Sequence, residues 1–265
     1  MDFALNHPSL VFATALSLLW LATYVGASAR RWRPLKDDER QTFELMLGST
    51  LTLLGLIVGF SFSIAGARYD QRKNLEVAEA NAISTEFVRA DLLPSSDAVR
   101  VKQLLQSYLD QRILFYGERR DDHLSRIESA TAQLHQELWS AVKSVADASP
   151  TPVVALVVNG MNEVLNSEGY THGAWWYRIP EGAWGLMVVI SVVCCALLGY
   201  DARAARVFSL VLVPLALAIA FFFIADIDSP RHGFIRTQPH NLVRLALAIR
   251  SGEARAEMST PRLTP

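Results

Sequence analysis

The sequence predicts an all-α integral membrane protein, with four transmembrane helices paired as two hairpins and a helical soluble domain between the pairs. Two observations carry that prediction. Four uncharged apolar stretches occur, at Leu10 to Ala27, Leu45 to Ala67, Ala183 to Gly199 and Val207 to Ala225. At about 1.5 Å per helical residue, each is long enough for a hydrocarbon core of about 30 Å. A backbone in lipid has to satisfy its own N–H and C=O groups, so such stretches are helices. The second observation is segregation: the chain is 51% hydrophobic and 19% charged, yet charge is nearly absent from the four stretches and crowds into Arg68 to Arg178.

The first stretch reads as a retained helix. No basic segment precedes it, and its apolar run exceeds that of a secretory leader, although Ala27-Ser28-Ala29 has the small residues of a cleavage site. The link that follows, Arg30 to Arg40, is short, so spans one and two form an antiparallel hairpin. Span two opens at Thr42, with Glu44 placed where a carboxylate suits the helix dipole. No glycine or proline follows Ala67 until Pro94-Ser95-Ser96. The expectation is one rod of about 50 residues, near 75 Å long, continuing out of the membrane.

The middle region carries three helical stripes: Val101, Leu105, Tyr108 and Leu109; then Ile127, Leu134, Leu138, Trp139, Val142 and Val145; then Val154, Val157, Met161, Val164 and Leu165. Pro150 and Pro152 mark a turn and a helix start. Period-two alternation is missing over any useful length, so no sheet is expected. Trp175, Trp176, Tyr177 and Trp184 read as an interfacial aromatic belt before span three. A short link, Tyr200 to Arg206, closes the second hairpin, and Pro214 lies inside span four, where it can kink the helix. Beyond Asp226 come a polar turn, a short apolar helix near Leu242 to Ile249, and a disordered tail. The expected division is residues 10–67 and 183–226 for the hairpins, 68–182 for the soluble domain and 227–265 for the tail.

Four spans put both termini on one side of the membrane. Link charges Arg30, Arg31, Arg33, Lys36, Arg40, Arg203 and Arg206 balance Arg68, Arg72, Lys73, Arg178, Arg231, Arg236 and Arg244 on the opposite flanks. Taken alone, the short-loop weighting leans toward termini outside.

Span two is also where function is expected. Gly55, Gly59, Ser63 and Ala67 recur every fourth residue, a small-residue stripe for close helix packing. Beside it Thr52, Leu56, Phe60 and Ile64 form a second stripe, which would line an apolar constriction if repeated around an oligomer axis. Charged residues from Arg68 to Asp91 read either as a salt-bridged, solvated face, with Arg72 pairing Glu76, or as an ion vestibule with Arg68 at its mouth. Asp226-Ile227-Asp228-Ser229-Pro230-Arg231 reads as a helix stop with local Asp–Arg pairing. Cys194 and Cys195 are adjacent on a helix and read as packing residues. The six histidines are scattered, and the common catalytic motifs do not occur. Accordingly no catalytic residue, metal site or cofactor is expected, and a net charge of -1 gives no footprint for nucleic acid.

Leu54-Gly55-Leu56-Ile57-Val58-Gly59-Phe60-Ser61-Phe62-Ser63, Arg68-Tyr69-Asp70-Gln71-Arg72 and Glu79-Ala80-Asn81-Ala82-Ile83 resemble the bestrophin-like bacterial membrane family of unknown function. Arg89 to Pro94 and Asp226 to Gly233 do so as well, and the resemblance spans about Leu10 to Leu242. Its distant relatives, the bestrophins, are pentameric anion channels whose second helix carries Gly-Phe followed eight residues later by arginine. Gly59-Phe60 and Arg68 keep that spacing. The apolar neck of those channels would fall on Thr52, Leu56 and Phe60. Thr52 departs from the bulky apolar pattern, Tyr69-Asp70 replaces a Trp-Trp pair, and the acidic calcium clasp has no match. The resemblance implies a homo-oligomer, a pentamer by analogy, in a bacterial inner membrane, with both termini cytoplasmic and an anion as the conducted ligand. The competing reading is a non-conducting membrane scaffold or sensor whose helical domain binds a partner protein.

Overall fold

The computed structural model describes residues 7–33, 36–201 and 207–259. Arg203 and Arg206 in the second link, and residues 260–265 of the expected tail, lie outside them. The described residues form helices and no strand. In chain order the α-helices are α1 (Pro8–Trp32), α2 (Asp37–Arg89), α3 (Ser95–Gly117), α4 (Asp121–Ala148), α5 (Pro152–Trp176), α6 (Glu181–Tyr200), α7 (Val207–Asp228) and α8 (His240–Ser259), with a 3-10 turn at Ala90–Leu92 after α2. Two compact units result: Met1–Tyr69 with Tyr177–Arg236, and Asp70–Trp176 with Thr237–Pro265.

Four helices are long and apolar enough to cross a membrane, and they contain the four predicted stretches. The rod is real and longer than expected. α2 starts at Asp37 rather than Thr42 and runs 53 residues, about 80 Å at the helical rise. Pro214 lies inside α7 without ending it. Hydroxyls on α1 and α2 fold back on their own helix, as Thr14 does to the Leu10 carbonyl (2.7 Å), Thr23 to Leu19 (2.9 Å) and Thr50 to Met46 (2.8 Å). Such bonds satisfy these hydroxyls within their own helix, as a lipid surround requires.

In the membrane unit α1 packs against α6 and α7. The α1–α6 approach is set by two glycines. A Cβ at Gly26 would meet the Ala196 carbonyl oxygen at 1.9 Å, and one at Gly199 would meet the Thr23 carbonyl oxygen at 2.0 Å. Each obstacle is backbone, which cannot rotate away. Cys194 packs with Leu47, Leu54 and Leu198, and Cys195 with Leu19 and Ala22, so both cysteines are core residues as expected.

The helical unit is built on the three predicted stripes. Val101, Leu105, Tyr108 and Leu109, then Leu138 and Val142, then Val157, Met161 and Val164 are all buried in one core with Ile83 of α2 and Leu242 of α8. Thr151 caps α5 by accepting the Val154 N–H (3.2 Å). Three expectations need correction. Trp139 is 38% exposed rather than buried with the core of its stripe. Only half of the aromatic belt exists: Trp176 and Tyr177 are exposed, but Trp175 packs edge-on against Phe115, and Trp184 against Phe221. The last helix is not confined to Leu242 to Ile249. Its first turn is held by Glu76, which accepts the backbone N–H of Asn241 (2.8 Å) and of Leu242 (3.0 Å) and the Asn241 side-chain amide (2.7 Å). A carboxylate at a helix N-terminus satisfies orphan donors and the helix dipole together.

The glycine contacts give a signed test. Gly199→Val and Gly26→Val should each cost about 1–3 kcal/mol or more through overpacking, lowering the melting temperature in detergent. Gly48→Ala, whose Cβ meets nothing within 4 Å, should leave stability unchanged or raise it by up to about 1 kcal/mol through helix propensity.

Candidate functional site: the outward face of α2 and its buried charges

One face of α2 is committed to its own protomer. Leu47, Leu54, Ser61 and Ala65 are buried at steps of seven, seven and four, the spacing of a single helical stripe. Both candidate stripes lie off that face. Leu56 is 53% exposed, Phe60 60% and Ile64 43%, while Thr52, Gly55, Gly59, Ser63 and Ala67 are exposed as well. A Cβ on Gly55 or Gly59 would meet no atom within 4 Å. The small residues therefore pack against nothing inside the protomer. Thr52 donates its hydroxyl to the Gly48 carbonyl (2.9 Å). With the hydroxyl turned back, its departure from an apolar pattern is softened. Arg68, two turns beyond Phe60, is half-buried. Elsewhere in the membrane unit a cavity of about 750 Å³, lined by Val25, Phe43, Met46, Val193 and Tyr200 among others, includes none of the four constriction candidates.

Past Arg68, Asp70, Asn81 and Asp91 are exposed, but four charged residues expected on the same solvated face are buried instead. Arg72, Glu76, Glu79 and Glu86 are each at most 1% exposed. Burial of charge demands partners. Glu79 has four donors: the Arg112 Nε and Nη2 (the latter at 3.4 Å), the Tyr116 hydroxyl (3.1 Å) and the Thr171 hydroxyl (3.1 Å). The guanidinium of Arg112 also lies 3.5 Å from Glu168 and 4.5 Å from the ring centre of Phe115. Tyr116 is held protonated: burial pushes its hydroxyl well above the usual tyrosine range, and the Glu79 charge adds to that. These groups hold the helical unit together and line no open vestibule. Glu76 is the α8 cap already described.

Asp226 and Asp228 are buried too, and backbone amides occupy them. Asp226 accepts the N–H of Phe234 (2.6 Å) and of Ile235 (2.9 Å), and Asp228 accepts that of Ile179 (3.1 Å). For Asp226 this replaces the expected local Asp–Arg pairing with a closed turn, into which Gly233 fits because a Cβ there would sit 2.3 Å from the Asp226 carbonyl oxygen. Among the described residues no group of three His, Cys, Asp or Glu is placed to hold a metal ion.

An outward-facing apolar and glycine stripe thus lies on a long second helix that runs unbroken into a helical unit. A model of the bestrophin-like domain matches residues 9–242. The chain belongs to the bestrophin-like family. No curated protein matches the sequence. The fold is similar to that of a bacterial bestrophin homologue from Klebsiella pneumoniae, with 14% identity over 88% of this chain and 98% of the other, at a TM-score of 0.63. A point variant of that homologue superposes equally well, at 15% identity and the same coverages and TM-score. A crystal structure described as a membrane protein matches at 14% identity over 94% of this chain and 98% of its own, with a TM-score of 0.65. The four-span helical architecture is thus that of bestrophins.

Sequence reasoning missed the Glu79–Arg112 centre of this bestrophin-like fold. A faint signal existed: Arg112 and Tyr116 follow the Tyr108-Leu109 end of an apolar stripe at helical spacing, so the arginine had to enter the core. The centre can be tested by removing one charge at a time. Glu79→Ala strands a buried guanidinium and should destabilise the helical unit by about 3–5 kcal/mol. Glu79→Leu combined with Arg112→Met should recover much of that loss, measured by denaturant titration of the full chain in detergent.

Proposed function

We propose that this chain is one subunit of a homo-oligomeric, anion-preferring channel of the bacterial inner membrane, pentameric by analogy with the bestrophins, with both termini cytoplasmic. The supporting observation is the outward face of α2. Lipid gives little reason to expose a glycine stripe, whereas a neighbouring helix can approach it closely. If Gly55, Gly59 and Ser63 receive a second copy, Thr52, Leu56 and Phe60 face the axis as successive rings. Repeated rings of apolar side chains close a pore to ions by excluding water. Arg68, eight residues past Phe60, then sets a ring of positive charge at the mouth, which concentrates anions. Family membership supports the same assignment, and no constellation for catalysis competes with it among the described residues.

Mass measurement in mild detergent comes first, because a monomer at all concentrations sinks both oligomer and pore. Planar bilayers under a chloride gradient then test conduction. Phe60→Ala should raise conductance, and Leu56→Ala should raise it less, having less bulk to remove. Arg68→Glu should move the reversal potential away from chloride selectivity. Silent bilayers holding verified oligomer, across a range of pH and voltage, would favour the scaffold reading instead.

A further inference from the structure

Glu86, one turn before the end of α2, has the least comfortable environment of the buried acids in the helical unit. It is 0% exposed, and both carboxylate oxygens are enclosed without a hydrogen-bond partner. Glu79 and Glu76, on the same helix, each collect three or more donors. What presses on Glu86 is Gly160 of α5. A Cβ there would lie 2.0 Å from the Glu86 Oε2 and 2.5 Å from the Arg89 Nη1. The ends of the Glu86 and Arg89 side chains fill the space that a side chain at position 160 would take. The charged groups acting on the carboxyl are Arg89, on its own helix, and Glu163 of α5. Arg89 is not bonded to Glu86; its Nη1 has no hydrogen bond and leans toward the Glu163 Oε2 at 3.9 Å. The acid of the adjoining 3-10 turn, Asp91, is taken by Lys102 at 2.5 Å.

A carboxylate with no donor in a closed site is costly, and the cheapest relief is to keep its proton. We propose that Glu86 is a proton-binding site that locks α2 to α5: neutral, it lies against Gly160 and leaves Arg89 to Glu163; ionised, it draws Arg89 from Glu163 and parts the helices at Gly160. The proton passes to solvent, and the guanidinium exchanges one carboxylate for another. Burial supports the assignment by pushing this carboxyl from its ordinary 4.5 up to about 8, with Arg89 pulling down and Glu163 pushing up. The sign follows from linkage. An acid whose folded value is raised contributes its contact fully below about pH 4.5 and loses it as pH rises through about 8. The lock is therefore closed in acid and opens in mild alkali, whether or not the protein conducts.

Hydrogen exchange of the full-length protein in lipid nanodiscs, between pH 6 and pH 9 and corrected for intrinsic rates, reads the lock directly. Backbone amides of residues 82–90 and 156–164 should lose protection about a hundredfold between pH 6 and the ionisation midpoint near pH 8, about tenfold per pH unit, and little more by pH 9. Glu86→Gln should keep them protected throughout. Glu163→Gln should move the midpoint to lower pH, and Arg89→Gln should move it to higher pH. Gly160→Ala should displace the Glu86 carboxyl from its enclosed place and so change the pH dependence of both segments. A Glu86→Gln protein that opens with the wild-type pH dependence overturns the proposal. So does a midpoint that fails to move in opposite directions for Glu163→Gln and Arg89→Gln, even if Gly160→Ala does not fold.

Discussion

A single hydrogen-bond ladder in α2 serves two solvents, and the rest of the architecture answers to that constraint. Lipid requires every backbone group to be bonded within the helix. Water would allow a break, but the sequence from Arg68 to Leu93 supplies no glycine or proline to make one. Side chains therefore carry the whole change of environment. Above Ala67 the helix packs through Leu54 and Ala65; below it, through Ile83 and Ala90, with acidic side chains sunk among them. A helix that continues without a break buries whatever faces its neighbours. Acids at positions 76, 79 and 86 are buried for that reason, and each is handled differently: by a helix N-terminus, by an arginine and two hydroxyls, and by a glycine.

Local signals made most of the architecture legible. Hydrophobic length identified the spans, and apolar residues three and four apart identified the core faces of α3, α4 and α5. Both readings depend only on neighbours along one helix. Trp139 shows the limit: it fits the period of its stripe but lies at the stripe's edge, where a small rotation of the helix decides exposure. Trp175 and Trp184 show another. An aromatic cluster beside a membrane span suggests headgroups, yet a ring near the membrane surface can equally turn inward, and only the position of Phe115 or Phe221 tells which.

The candidate site divides in the same way. Gly55, Gly59, Leu56 and Phe60 were legible because a four-residue repeat is written in one segment. That both stripes face away from the protomer was not legible, since it depends on which side of α2 receives α6 and α7. Glu79 was unreadable for a further reason. Its partners lie 33, 37 and 92 residues away, and a surface-like charge pattern on one helix says nothing about a cation arriving from another. Pairing with a neighbour on the same helix, the natural guess for Glu76, lost to a helix end brought back from the far end of the chain.

That returning helix bears on how the molecule is made. Glu76 and the amides it caps are separated by 165 and 166 residues, and the intervening chain includes α6 and α7. On the ribosome, the helical unit acquires α3, α4 and α5 early, but its last wall is synthesised only after the second hairpin. Each unit is interrupted by the other in sequence, so neither can be excised as a contiguous gene fragment and remain whole. Completion of the helical unit therefore waits on synthesis of the second hairpin. A chain stalled before α8 leaves Leu242's place in the core empty and a buried carboxylate without its donors.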